Sequence, residues 1–115
     1  MIDLNFVKEV YVFSGATDFR NGIHGLLRII SRDFDLNNIK DCIFIFCNST
    51  RSSIKLLERD STGIWLYQKK LDRGKFAFPN TEQNARITVD ELKILINGLD
   101  FIRIIEKSEK NFDFL

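Results

Sequence analysis

Proline occurs once, histidine once and cysteine twice in 115 residues, and the net charge is only +1. Each scarcity excludes something. With so little proline, and with no internal repeat or low-complexity run, nothing reads as a linker dividing the chain. Cys42 and Cys47 lack metal-type C-x2-C spacing, and five residues apart on a strand they face opposite ways and cannot bond to each other. They read as reduced thiols of a cytosolic protein. No stretch approaches the ~20 apolar residues of a membrane helix. The start, MIDLNFVKEV, carries Asp3 and Glu9 and lacks a basic start followed by an apolar run, so no signal peptide is expected. Gly22 and Gly25 are not followed by the Lys-Ser/Thr of a phosphate-cradling loop. The near-neutral total also excludes the global basicity of many nucleic-acid binders, so any electrostatic footprint must be local.

Catalytic components are equally short. Cys42 and Cys47 lie in an apolar run, where a thiol stays protonated and inert, and His24 is the one histidine available to activate a nucleophile. Asp18, Asp60 and Asp100 can be drawn as a two-metal triad. Each has a simpler role, as a helix cap, a turn residue and a residue past a helix end. No catalytic residue, metal or cofactor is expected.

What the chain does have is phenylalanine, 11 residues of it, within a hydrophobic fraction of 44%. That supports one real core, rich in Phe. Residues 6–13 read as a strand that Ser14 and Gly15 break. Thr17 or Asp18 is placed to cap a helix through about Arg32, with Ile23, Leu26, Leu27 and Ile30 on one apolar face. The run CIFIFC, residues 42–47, is apolar without alternation and should be buried on both faces. A turn at 48–50, a strand Ile54–Arg59, a turn at 60–63 and a strand Ile64–Lys70 follow. Short connections make this an antiparallel meander with CIFIFC in or near its centre. Thr88-Val89-Asp90-Glu91 is a capping box that opens a helix with Leu92, Leu95, Ile96 and Leu99 on one face and Gly98 near its end. The fold class is therefore α+β: a small antiparallel sheet of about four strands packed with two main helices. One domain is expected over 1–105, with a charged, frayed tail at 106–115.

The charge is uneven. Residues 51–75 hold seven cations (Arg51, Lys55, Arg59, Lys69, Lys70, Arg73, Lys75) against Glu58, Asp60 and Asp72, a local excess of four. Lys69, Lys70, Arg73 and Lys75 lie beside Tyr67, Phe76 and Phe78. Cations neutralise phosphates and exposed aromatics stack on unpaired bases, so this segment is the candidate nucleic-acid contact.

The same residues carry a family resemblance. Gly15-Ala-Thr-Asp-Phe-Arg-Asn-Gly-Ile-His-Gly-Leu26, Ile43-Phe-Ile-Phe46, Ile54-Lys-Leu-Leu57, the stretch from Gly63 to Pro79, Thr88 with Leu92, and Asn97-Gly-Leu-Asp-Phe101 occur in one order. The patterns T-D-x-R-x-G and Y-x-K-x-L-[DE]-x-G-[RK]-F-x-[WF]-P are specific in combination. In them the chain resembles the TnpB-type accessory protein, the small second reading frame of the IS-sixty-six group of bacterial insertion sequences. This is not the RNA-guided nuclease that shares the name. The resemblance implies a bacterial, cytoplasmic role in transposition beside a separate transposase, with no membrane or small-molecule substrate. The expected activity is a non-catalytic DNA contact, at the element ends, through Arg51, Lys55, Lys69, Lys70, Arg73 and Lys75. The alternative is a protein–protein adaptor of the transposase. Asp18, Arg20, Trp65, Tyr67, Phe76 and Phe78 are the motif residues expected at a partner surface, with Asp18 a cap and Arg20 ion-paired or partner-facing. Two departures reduce the basic surface: the turn before Ile54 holds Arg51 as its one arginine, and Asn21 stands where a Lys is common; in a third, Phe78 replaces a Trp.

Overall fold

The apolar run Cys42–Cys47 (β2) lies at the centre of a five-stranded sheet in the computed structural model, which describes residues 4–79 and 83–97. Five of its six residues are buried. Its neighbours are Glu9–Ala16 (β1) on one side and Ser53–Arg59 (β3) on the other; Ile64–Lys70 (β4) and Ala85–Ile87 (β5) form the edges. The meander from β2 to β4 is antiparallel as expected, with Cys47 opposite Ile54 and Ser53 opposite Lys70. Two features differ from the sequence reading. β1 runs parallel to β2, because the helix Ile23–Ile30 (α1) crosses over between them. The short β5, antiparallel to β1, was not foreseen; at three residues it is too brief to leave a period-2 signal.

β1 begins and ends about three residues later than expected. Residues Leu4–Phe6 form a single 3-10 turn instead, and Ser14 and Gly15 do not break the strand. They bulge it: the register with β2 shifts between Val12 and Ala16, and Gly15 takes a φ of +76° that other residues rarely adopt.

The helices cover opposite faces. Val89–Ile96 (α2) seats Leu92 and Leu95 against Val10, Val12, Ile43, Ile45, Ile54 and Leu56. On the other side α1 seats Leu26 and Ile30 against Phe13, Phe44, Phe46 and Leu57. Here the phenylalanines form one cluster, with Phe13 stacked on Phe46 at 4.9 Å and Phe34 edge-on to Phe44 at 5.1 Å. Such pairs add about 0.5–1.5 kcal/mol each beyond their buried area. Cys47 joins the α2 face and Cys42 the α1 face, as their spacing required.

α2 starts with the expected capping box: Thr88 Oγ1 accepts from the Glu91 amide at 3.1 Å and Glu91 Oε1 from the Thr88 amide at 2.9 Å. α1 does not start where expected. Its N-cap is Gly22, which makes no side-chain cap bond, and neither Thr17 nor Asp18 caps it. The Asp18 carboxylate is engaged two residues on, by the amide and guanidinium of Arg20, so residues 17–22 form a separate turn. Gly98, Leu99, Asp100 and the tail 106–115 lie outside the described residues, as does the expected domain boundary at 105.

Candidate nucleic-acid interface

β1 and β2 end, β3 begins and β4 ends at the same end of the sheet. Three connections therefore meet there: 17–22, 48–52 and 71–79. Main-chain bonds tie them together. Thr17 N donates to Cys47 O at 2.8 Å, Leu71 N to Ser52 O at 2.9 Å and Phe76 N to Arg51 O at 2.7 Å. Segments far apart in sequence, and forming most of the quoted motif, thus share one end of the fold.

Asn48 builds the middle turn. Its side chain accepts from Ser53 N at 3.1 Å and donates to Ser52 Oγ at 3.1 Å, while its carbonyl receives the Arg51 amide. Arg51 closes the turn at a φ of 59°, a left-handed conformation that costs a non-glycine residue roughly 1–2 kcal/mol. Beside it Gly15, Ala16, Asn48 and Phe78 line a shallow cavity of about 250 Å³.

The candidate cations divide into three groups. Arg51, Lys70, Arg73 and Lys75 are exposed at this end or on its loop. Lys69 is exposed but its ammonium donates to the Ile96 carbonyl at 2.7 Å, at the negative end of the α2 dipole. Lys55 is not available to a phosphate. It is only 6% exposed, and Nζ donates to the carbonyls of Phe19 (2.9 Å) and Asn21 (3.0 Å), 4.8 Å above the Phe19 ring.

The aromatic half of the expected site also separates. Phe76 and Phe78 are buried against the α2 face, so their rings are not exposed for stacking on bases. A sequence cannot distinguish a Phe that fills a core from one that lies on a loop; here the Phe76 amide donates to the Arg51 carbonyl and its ring packs into the core. Trp65 and Tyr67 do share a face, stacked at 6.1 Å, and Trp65 is 54% exposed. Trp65 lies five residues along β4 from Lys70, roughly 17 Å. Its indole N–H is held by Asp60 Oδ2 at 2.7 Å. Asp60 Oδ1 caps its own turn through the amides of Thr62 and Gly63, and these hydrogen bonds hold its pKa down at about 2.

Asp18 and Arg20 form an exposed ion pair, with Nη2 2.6 Å from Oδ2. The guanidinium, then the Arg20 amide, lowers the Asp18 carboxyl to about 2, and Arg20 is raised in turn. Asp18 and Asp60 lie at opposite ends of the sheet, and among the described residues no three His, Cys, Asp or Glu side chains gather as a metal site. Burial raises both thiols, Cys47 to about 11. No described helix is long and apolar enough to cross a membrane.

Comparison with known proteins gives relatives of similar length. The chain is 32% identical over 94 residues to the uncharacterized protein y4hO of Sinorhizobium fredii, covering 81% of this chain and 82% of that one. It is 28% identical over 103 residues to the uncharacterized protein y4jC of the same organism, covering 89% and 88%. No solved structure matches significantly. The family model described as IS66 Orf2 like protein matches residues 8–106, which takes in every described strand and both described α-helices, and the chain belongs to that family.

Proposed function

We propose that this chain is a non-catalytic accessory protein of insertion-sequence transposition that holds DNA through the phosphates, using Arg51, Lys70, Arg73 and Lys75. The observation that carries the reading is the tethering of the 71–79 loop to the 48–52 turn through Phe76 and Arg51, which sets these cations on one end of the sheet. Phosphate contacts of this kind position a protein without reading sequence. The family membership supports a transposition setting; in this reading a separate transposase does the chemistry, in the bacterial cytoplasm.

Fluorescence anisotropy with element-end and random duplexes tests it. Binding should weaken with salt, log K falling by about 0.9 per phosphate engaged. It should be lost in an Arg51/Lys70/Arg73/Lys75→Ala variant that still folds. A flat salt response, or full binding by the variant, would sink the reading.

A second reading rests on the exposed Trp65 stacked on Tyr67 at an edge strand. Aromatics of this kind dominate protein interfaces, so this face suits an adaptor that grips the transposase and never touches DNA. Transposase capture abolished by Trp65→Ala, but kept by the four-cation variant, would favour it.

A further inference from the structure

The turn 17–22 carries a further cation, Arg20, toward the same end of the sheet, and hydrogen bonds fix its geometry. Asp18 Oδ1 accepts from the amide of Arg20 at 2.9 Å and from Nε at 3.1 Å; Oδ2 accepts from Nε at 2.9 Å and from Nη2 at 2.6 Å. The carboxylate thus grips one edge of the guanidinium. A guanidinium has five N–H donors in a plane, and the hydrogens of Nη1 with one on Nη2 remain on the other side. The Arg20 side chain is 91% exposed.

Lys55 fixes the same turn from within. Its buried ammonium is bonded to the carbonyls of Phe19 and Asn21, the residues on either side of Arg20. Asn21 bonds back through its amide and Nδ2 to the Asp18 carbonyl, both at 3.0 Å. Burying an ammonium is expensive, and these bonds offset the cost only while the turn keeps this shape. Register places the turn's anchor, Lys55, near Lys70. Lys55 faces Gln68 and Ser53 faces Lys70, so Lys55 and Lys70 are diagonal neighbours on one face of the sheet, with backbones about 7–8 Å apart.

We propose that Arg20 is a further phosphate-contacting residue of this DNA surface, with Asp18 and Lys55 as positioning residues that hold its guanidinium edge and its backbone. The inference rests on the DNA reading above and extends it from the 48–52 turn and 71–79 loop to the turn before α1. A planar donor fork fixed on one side is suited to bidentate contact with phosphate oxygens.

The anisotropy titration across salt tests it with Arg20→Gln, Asp18→Ala and Lys55→Met beside the wild type. For Arg20→Gln the expected result is a slope smaller by about 0.9 at an unchanged melting temperature. Asp18→Ala decides between two signs: as a positioning residue its loss weakens binding, although a negative charge has been removed. Lys55→Met should weaken binding in the wild-type background and have little further effect once Arg20→Gln is present. An unchanged slope in Arg20→Gln, or tighter binding by Asp18→Ala, would overturn the proposal while leaving salt-sensitive binding by the wild type intact. A wild type that does not bind would overturn both readings together.

Discussion

The amide of Phe76 donates to the carbonyl of Arg51 at 2.7 Å, so the ring that fills the core and the cation that faces solvent are joined through one main-chain bond. Phe76 is 1% exposed. Packing of its ring therefore holds the 71–79 loop, and the loop holds Arg73 and Lys75.

Truncating that ring should be felt in both stability and binding. Phe76→Ala is expected to lower unfolding free energy by about 3–5 kcal/mol, the range for a large buried aromatic. Urea titration followed by circular dichroism measures it. Phe76→Leu, which keeps most of the volume, should cost much less and, on the DNA reading proposed above, leave salt-sensitive binding unchanged. A loss below 1 kcal/mol in Phe76→Ala would show that the ring is not the loop's anchor.

The capping box gives a smaller and more local effect. Thr88 and Glu91 satisfy each other's amides at the start of α2, and Leu92 and Leu95 follow at once into the core. Thr88→Ala should cost about 1 kcal/mol, while Thr88→Ser should be near neutral because the hydroxyl is kept. Equal losses in the two variants would mean that the side-chain methyl, not the cap, matters.

These features also mark how far the sequence could be read. The meander, the buried centre strand and the α2 cap were legible because each leaves a local signal: an apolar run, a turn cluster, a T-x-x-E spacing. The parallel pairing of β1 with β2 was hidden because pairing direction depends on where the crossover helix sends the chain. Asp18 misled for a clear reason. A side chain that caps helices serves equally well in a turn closed by Arg20, and both options look alike in one dimension. Lys55 misled because a lysine on a strand reads as surface; its carbonyl partners lie more than 30 residues away. The loop's cations are plain in the sequence, but the inward turn of Phe76 and Phe78 is not.

Acid should destabilise the fold over a low window. The Asp18 and Asp60 carboxyls are both lowered from an ordinary 3.8 to about 2. A group lowered on folding contributes stability that is present above its unfolded pKa and lost as pH falls through the folded one. Their contribution should therefore hold from neutral pH to about 4 and disappear between about 4 and 2. The chain's one tryptophan reports on one of them directly, since Trp65 donates to Asp60. Its fluorescence should titrate with a midpoint near 2 in the folded protein, and that step should vanish in Asp60→Asn. A midpoint near 4 would mean that the Thr62 and Gly63 amides do not hold the carboxylate in solution.

Thiol labelling tests the placement of the two cysteines on opposite faces. Cys47 is buried on the α2 side and its pKa is pushed up to about 11, mainly by desolvation. Cys42, half-buried at the start of β2, is raised by desolvation and then by the nearby Glu9 and Asp41 carboxylates. The thiolate is the reactive form, so at pH 8 both should label slowly in the native protein, Cys42 faster than Cys47. In urea both should react at ordinary rates, because burial and neighbours are gone. Air oxidation should leave the folded chain without an internal disulfide, since side chains on opposite faces of one strand cannot meet. Rapid native labelling of Cys47 would mean that the α2 face opens readily, and the Phe76 anchor would then have to be questioned along with it.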